Sequence, residues 1–208
     1  MIFRLLVGIT VLAALILFIR ILIADRHGIQ KIVISLFISD LRVQSIFVKI
    51  RTYVVLLSII FFVLLLLSGF IPVVITGTNI TGIWLIIHVT VAPIFIASFM
   101  LFVILSAHNQ RFSSTDFEFL KTVSTDKKDL TKQFVFTQKM IFWLFTVIVV
   151  PTALSIILQM YPLFNTIGQE FLLDVHRYCA LLLFIVSGFY ILSVIKLGLK
   201  ENKNQEIR

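Results

Sequence analysis

One cysteine, Cys179, is all the chain holds, so an internal disulfide and a cysteine-ligated cluster are excluded. Covalent haem attachment through Cys-x-x-Cys-His is excluded with them. Acidic residues are scarce, at 10 against 18 Lys and Arg. Glycine-rich nucleotide loops and metal-box spacings are missing too, so the chain by itself is not a complete enzyme of a soluble substrate. Charge of either sign makes up 13% of residues, half the share usual in a soluble domain.

What fills the chain instead is apolar. Hydrophobic residues make up 60% and the mean hydropathy is +1.10. A helix crosses a bilayer with roughly 20 apolar residues, and stretches at 2–24, 53–75, 82–106, 140–160 and 170–196 qualify. The composition predicts an all-α integral membrane protein of five transmembrane helices. The first stretch is read as a retained helix, because no small-x-small cleavage site follows its apolar run. The expected organisation is an N-terminal helix with an interfacial segment over 1–51, a four-helix bundle over 52–198 and a polar tail over 199–208.

Basic residues set the expected orientation. Residues 25–51 carry Arg26, Lys31, Arg42, Lys49 and Arg51; residues 107–139 carry Arg111, Lys121, Lys127, Lys128, Lys132 and Lys139. The tail adds Lys196, Lys200, Lys203 and Arg208, whereas 76–81 and 161–169 carry none. The positive-inside bias therefore predicts a cytoplasmic C-terminus and an N-terminus outside, with Arg4 alone pulling the other way. The net charge of +8 reports this topology rather than nucleic-acid binding. Residues 29–50 place Ile32, Val33, Leu36, Phe37, Leu41 and Phe47 on a helical stripe. That stretch is either an interfacial helix or a simple connector. Ser113-Ser114-Thr115-Asp116 is an N-cap pattern for a short helix in the largest loop.

Two segments echo each other. Leu67-Ser68-Gly69-Phe70-Ile71-Pro72, a polar turn and Gly82 lead to His88; Leu154-Ser155, Pro162, Asn165-Thr166-Ile167-Gly168 lead to His176. Each proline reads as marking a helix end. Proline and histidine are sixteen residues apart in one segment and fourteen in the other, and each histidine has an alanine four residues on. The pattern predicts two similar hairpins. At about 1.5 Å per residue, both rings then lie roughly 9–12 Å inside the outer helix starts. Two facing imidazoles at one depth are what a membrane b-type haem requires, so His88 and His176 are candidate axial ligands of the haem iron. The plainer reading of each is a structural histidine bonded to a neighbouring helix.

Other residues follow from that pair. Arg177, beside His176, is a candidate partner for a haem propionate, or it snorkels to lipid phosphate. Asp174 either pairs with Arg177 or carries a proton for a quinol. Gly69 and Gly188 are candidate gaps for a ring edge, or ordinary packing glycines. Pro93 predicts a kink in the third helix. Trp84, Tyr161 and Tyr178 fit an interfacial aromatic belt. His108 and His27 read as solvated boundary residues; a second haem on His108 with His27 or Met140 is the alternative.

Leu85-Ile86-Ile87-His88-Val89-Thr90-Val91-Ala92 and Leu172-Leu173-Asp174-Val175-His176-Arg177-Tyr178-Cys179-Ala180 resemble the membrane cytochrome b subunits of bacterial quinone-linked complexes, such as those of formate dehydrogenase, nickel–iron hydrogenase and nitrate reductase. The resemblance covers about residues 51–196. It implies a four-helix haem-binding bundle in the bacterial inner membrane, with one haem b on the outer side held by His88 and His176. It also implies quinone as a partner, with a multihaem or iron–sulfur subunit outside. The chain departs from the family where a second haem would be ligated, since Phe102 and Phe189-Tyr190 stand there. A haem-free scaffold subunit is the competing expectation, and a small transporter or channel subunit ranks behind both.

Overall fold

A computed structural model describes residues 2–24, 46–77, 79–117, 130–161 and 163–206. Residues 29–45 of the expected 29–50 stretch, His27 and Pro162 lie outside the described residues. Among the described residues there are five long helices: α1 (Ile2–Ala24), α2 (Ile46–Thr76), α3 (Gly82–Ser106), α4 (Leu130–Gln159) and α5 (Thr166–Glu206). No strand occurs among the described residues.

Among the described residues, four segments are long and apolar enough to cross a membrane: Ile46–Thr76, Gly82–Ser106, Val135–Gln159 and Thr166–Ser193. The expected first span is helical over the whole of Ile2–Ala24, and its apolar part among the described side chains, Ile2–Leu17, is shorter. Large apolar side chains line the outside of all four spanning segments, from Ile60 and Ile104 to Val147 and Phe189. In water that surface would be an aggregation liability; against lipid tails it carries no such cost.

The helices outrun their predicted bounds. α2 starts at Ile46, so 46–50 continues the spanning helix rather than belonging to a separate surface segment. α4 starts ten residues before its predicted span. The backbone of α5 stays helical to Glu206, through most of what was expected as a polar tail. The reason is the same in each case: charged residues end an apolar run, but Lys, Glu and Gln are good helix formers and nothing stops the backbone. Pro72 also departs from expectation. It sits inside α2, one turn before the helix ends. The stop is Gly77, whose φ of +65° and N–H bond to the Val73 carbonyl close the last turn.

The described residues divide into two units, the first holding α2, α3 and the N-terminal part of α1, the second holding α4 and α5. In the first, α2 and α3 run antiparallel across the turn at 77–81. Their register is fixed by Ser68 opposite His88 and by Phe62 against Phe95, ring centroids 5.7 Å apart. Phe95 and Phe99 stack in turn at 5.6 Å, and both are buried with Val54, Ser58 and Ser98. His88, Phe95, Phe99 and Ser106 follow a three–four spacing, so the histidine belongs to the stripe that α3 turns toward α2. Arg4 of α1 reaches the tip of this hairpin: a methyl group on Gly77 would lie 3.1 Å from its guanidinium.

In the second unit α4 and α5 are antiparallel in one constant register. Gln159 donates to the Gln169 carbonyl, His176 meets the Thr152 carbonyl, and Gln138 bonds with Tyr190. Phe142, Val149, Leu181, Leu183 and Val186 form the buried seam. Buried serines recur in both hairpins, and Ser58, Ser98 and Ser155 each donate back to a carbonyl of their own helix. This satisfies the hydroxyl locally and lets neighbouring backbones approach closely.

The chain leaving α3 is tied to α4. Ser113 and Asp116 close a helical turn: the Ser113 N–H and hydroxyl both donate to Asp116 Oδ2, at 2.7 and 2.9 Å, and the Asp116 N–H donates to the Ser113 carbonyl at 3.1 Å. Lys139 of α4 donates to the same oxygen at 2.6 Å. Phe112 packs on Phe136, and the Trp143 indole donates to the Gln110 carbonyl at 2.9 Å. Lys139 and the Ser113 backbone N–H hold the Asp116 carboxyl below its usual range. The capping residues are those the sequence pattern marked; their docking onto α4 was not foreseen.

Candidate functional site

Both histidines are half-buried, each on the second helix of its hairpin. Each turns Nδ1 toward the first helix. His176 Nδ1 lies 2.9 Å from the Thr152 carbonyl oxygen. A carbonyl only accepts, so Nδ1 is the donor. In the neutral ring Nε2 is then the nitrogen that carries the lone pair. His88 Nδ1 lies 3.0 Å from the Ser68 hydroxyl oxygen. The single Ser68 proton is directed to the Leu65 carbonyl at 3.2 Å. Were that proton kept on Leu65, the hydroxyl would accept from Nδ1–H and His88 would share the tautomer of His176; turned onto Nδ1, it would give the other tautomer.

Local sequence explains why the partners are available. On α2, Gly69 follows Ser68, and the His88 ring lies against it: a Cβ there would be 3.3 Å from Cε1 and 3.6 Å from Nδ1. Any larger residue there would make the ring shift by a few tenths of an ångström. The space expected over Gly69 for a cofactor edge is therefore used by the protein's own imidazole. On α4, Pro151 precedes Thr152 inside the helix. Proline removes one backbone bond and loosens the turn around it. Thr152 Oγ1 donates to the Ile148 carbonyl and Ser155 Oγ to the Thr152 carbonyl, at 2.7 and 2.9 Å. Side-chain bonds of this kind bend a helix further, so a carbonyl facing α5 there has a physical cause. Cys179, one turn beyond His176, bonds with the Thr152 side chain.

Judged from the residue pairs that face each other, His88 lies about ten residues from the midpoint of its hairpin and His176 about twelve. Counted from the first helical residues, Gly82 and Thr166, the rings lie about 9 and 15 Å along their helix axes, so His176 sits deeper than the roughly 12 Å expected from Gly168.

No family model, curated protein or solved structure matches this chain.

The remaining predicted residues fall as follows. Arg177 Nη1 pairs with Asp174 at 3.3 Å on the surface of α5, the pairing that was one of the two expectations for Asp174. Gly188 has open space where a Cβ would be. Pro93 is inside α3, one turn past His88. Trp84, Tyr161 and Tyr178 are exposed. His108 is exposed in the turn that ends α3. No group of three or more His, Cys, Asp or Glu gathers to hold a metal ion among the described residues.

Ser68, Thr152 and Pro151 were not recognised from sequence as part of the site. Ser68 was legible only as one member of a repeat, although its neighbour Gly69 was a candidate. A signal existed for the other pair, since Pro151-Thr152 is a proline–threonine step in the middle of an apolar span. Nothing in the residues alone joins it to His176, twenty-four positions on.

Proposed function

We propose that this chain is a haem-b-containing subunit of a membrane redox complex, passing electrons between the quinone pool and partner redox subunits. His88 and His176 would supply axial nitrogens to a single haem, and Arg177 a cation for a propionate. The observation that carries the reading is the anchoring of both rings through Nδ1. A ligating histidine characteristically donates its other N–H to a neighbouring acceptor, which orients the ring and makes it a better donor to the metal. Haem supplies one-electron chemistry that no side chain here provides. The chain's own contribution is to hold two imidazoles by Nδ1 within apolar helices.

The same reading includes five membrane spans, an N-terminus outside, a cytoplasmic C-terminus and residence in a bacterial inner membrane. The charge asymmetry supports it, as does the position of Arg4 at the α2–α3 tip, which puts the N-terminus at the same end as the uncharged turn.

A second reading, a haem-free scaffold, is favoured by the same two bonds, because each also ties one helix to the next. A reduced-minus-oxidised spectrum with haem quantified per chain separates them. The redox reading expects about one haem b per chain in the wild type, lost in His88→Ala and in His176→Ala. Well-folded, colourless wild-type protein from haem-replete cells would leave the scaffold.

A further inference from the structure

The two imidazoles are held by unlike partners. His176 donates to a backbone carbonyl, which no side-chain replacement removes. His88 Nδ1 lies 3.0 Å from the hydroxyl of Ser68, a side chain that is 2% exposed and has a single proton to give. That proton decides the matter. Directed at the Leu65 carbonyl, it leaves the oxygen lone pairs to accept from Nδ1–H. Turned instead onto Nδ1, it would force the His88 proton to Nε2 and remove the lone pair that a metal needs. Gly69 presses the ring against α2 from the neighbouring position, so the imidazole has little freedom to seek another partner on that helix.

We propose that Ser68 is a positioning residue: its hydroxyl, oriented by the Leu65 carbonyl, sets the tautomer of His88 and thereby the strength with which that ring donates to iron. The inference rests on the haem reading above for its second half and on the Ser68 contacts alone for its first. It also makes the two axial ligands unequal. One is fixed by backbone; the other is adjustable by a single hydroxyl.

The test uses full-length protein in nanodiscs, labelled with 15N-histidine, as wild type, Ser68→Ala and Ser68→Thr; His88→Gln assigns the resonances. In haem-free wild type, His88 is expected as the Nδ1–H tautomer. Ser68→Ala is expected to move it to Nε2–H or to a mixture, and Ser68→Thr, which keeps the hydroxyl, to restore it. In haem-loaded protein, loss of the partner is expected to weaken haem binding by about 10–100-fold. The midpoint potential should rise, because a poorer donor stabilises ferric iron less. Restoration by threonine shows that the alanine variant did not simply misfold. An Nε2–H tautomer in wild type overturns the inference, as does Ser68→Ala with tautomer and potential both unchanged. Wild type that binds no haem defeats the haem reading instead, while the tautomer still decides what Ser68 does.

Discussion

Replacing Gly69 by alanine should destabilise the α2–α3 hairpin, although the same change stabilises most helices. The added methyl would sit 3.3 Å from His88 Cε1, inside ordinary contact, and the atom it meets belongs to a ring anchored on the same helix. Carbon atoms are comfortable at about 3.5–4.0 Å, so the ring must retreat by roughly 0.2–0.7 Å. The Nδ1–Oγ bond already spans 3.0 Å, and that retreat carries it to or past the useful limit of about 3.2 Å. Overpacking of this kind costs about 1–3 kcal/mol, and weakening the hydrogen bond adds about 1 kcal/mol. Removing glycine from a helix interior returns about 1 kcal/mol, leaving a net loss of roughly 1–3 kcal/mol. Gly188→Ala is the control, since nothing lies within 4 Å of its Cβ position and only the helix gain of about 1 kcal/mol applies. Thermal unfolding in one detergent, followed by circular dichroism, should place Gly69→Ala below wild type and Gly188→Ala at or above it. A Gly69→Ala protein as stable as Gly188→Ala would refute the close approach of His88 to α2.

Three further outcomes are expected. The Asp116 carboxyl sits below its ordinary value when folded, so its tie to Lys139 contributes fully above the unfolded pKa of about 3.9 and is lost as pH falls through the folded value; Trp143 fluorescence should stay constant from pH 7 to 5 and change only on stronger acidification. Asp116→Asn removes the charge from a carboxyl that three donors share, at a cost of about 1.5–3 kcal/mol, and should raise proteolysis of the 107–117 segment. In a Cys179→Ser background, Asn79→Cys should react with a membrane-impermeant maleimide from the outside of intact cells and Asn109→Cys only after lysis; the reverse pattern would overturn the orientation drawn from Lys and Arg.

The architecture was legible because a bilayer imposes length and composition directly. Residues 82–106 are helical at their predicted bounds, since Gly82 opens the run and the polar His108-Asn109-Gln110 closes it. Helix ends set by charge were read too tightly, because lysine and glutamine terminate hydropathy without terminating a backbone, as at 46–52 and 130–139. Pro72 misled in the opposite direction: proline inside an apolar helix need not end it when a threonine one turn later bonds the Pro72 carbonyl. The histidines were conspicuous as polar groups in apolar surroundings. Their anchors were not, because serine and threonine are common in such helices and a backbone carbonyl leaves no mark in a sequence at all.

Each histidine finds its partner within its own hairpin, twenty residues back for His88 and twenty-four for His176. An imidazole N–H carried into hydrocarbon without an acceptor costs several kcal/mol. Here that debt never accumulates across the molecule, because the acceptor is already synthesised when the histidine emerges. Either hairpin can enter the lipid as a finished pair with its ring bonded, and the second need not wait for the first. Insertion of these two hairpins is therefore self-contained in each case, and a lesion in one anchor should leave the opposite hairpin properly threaded.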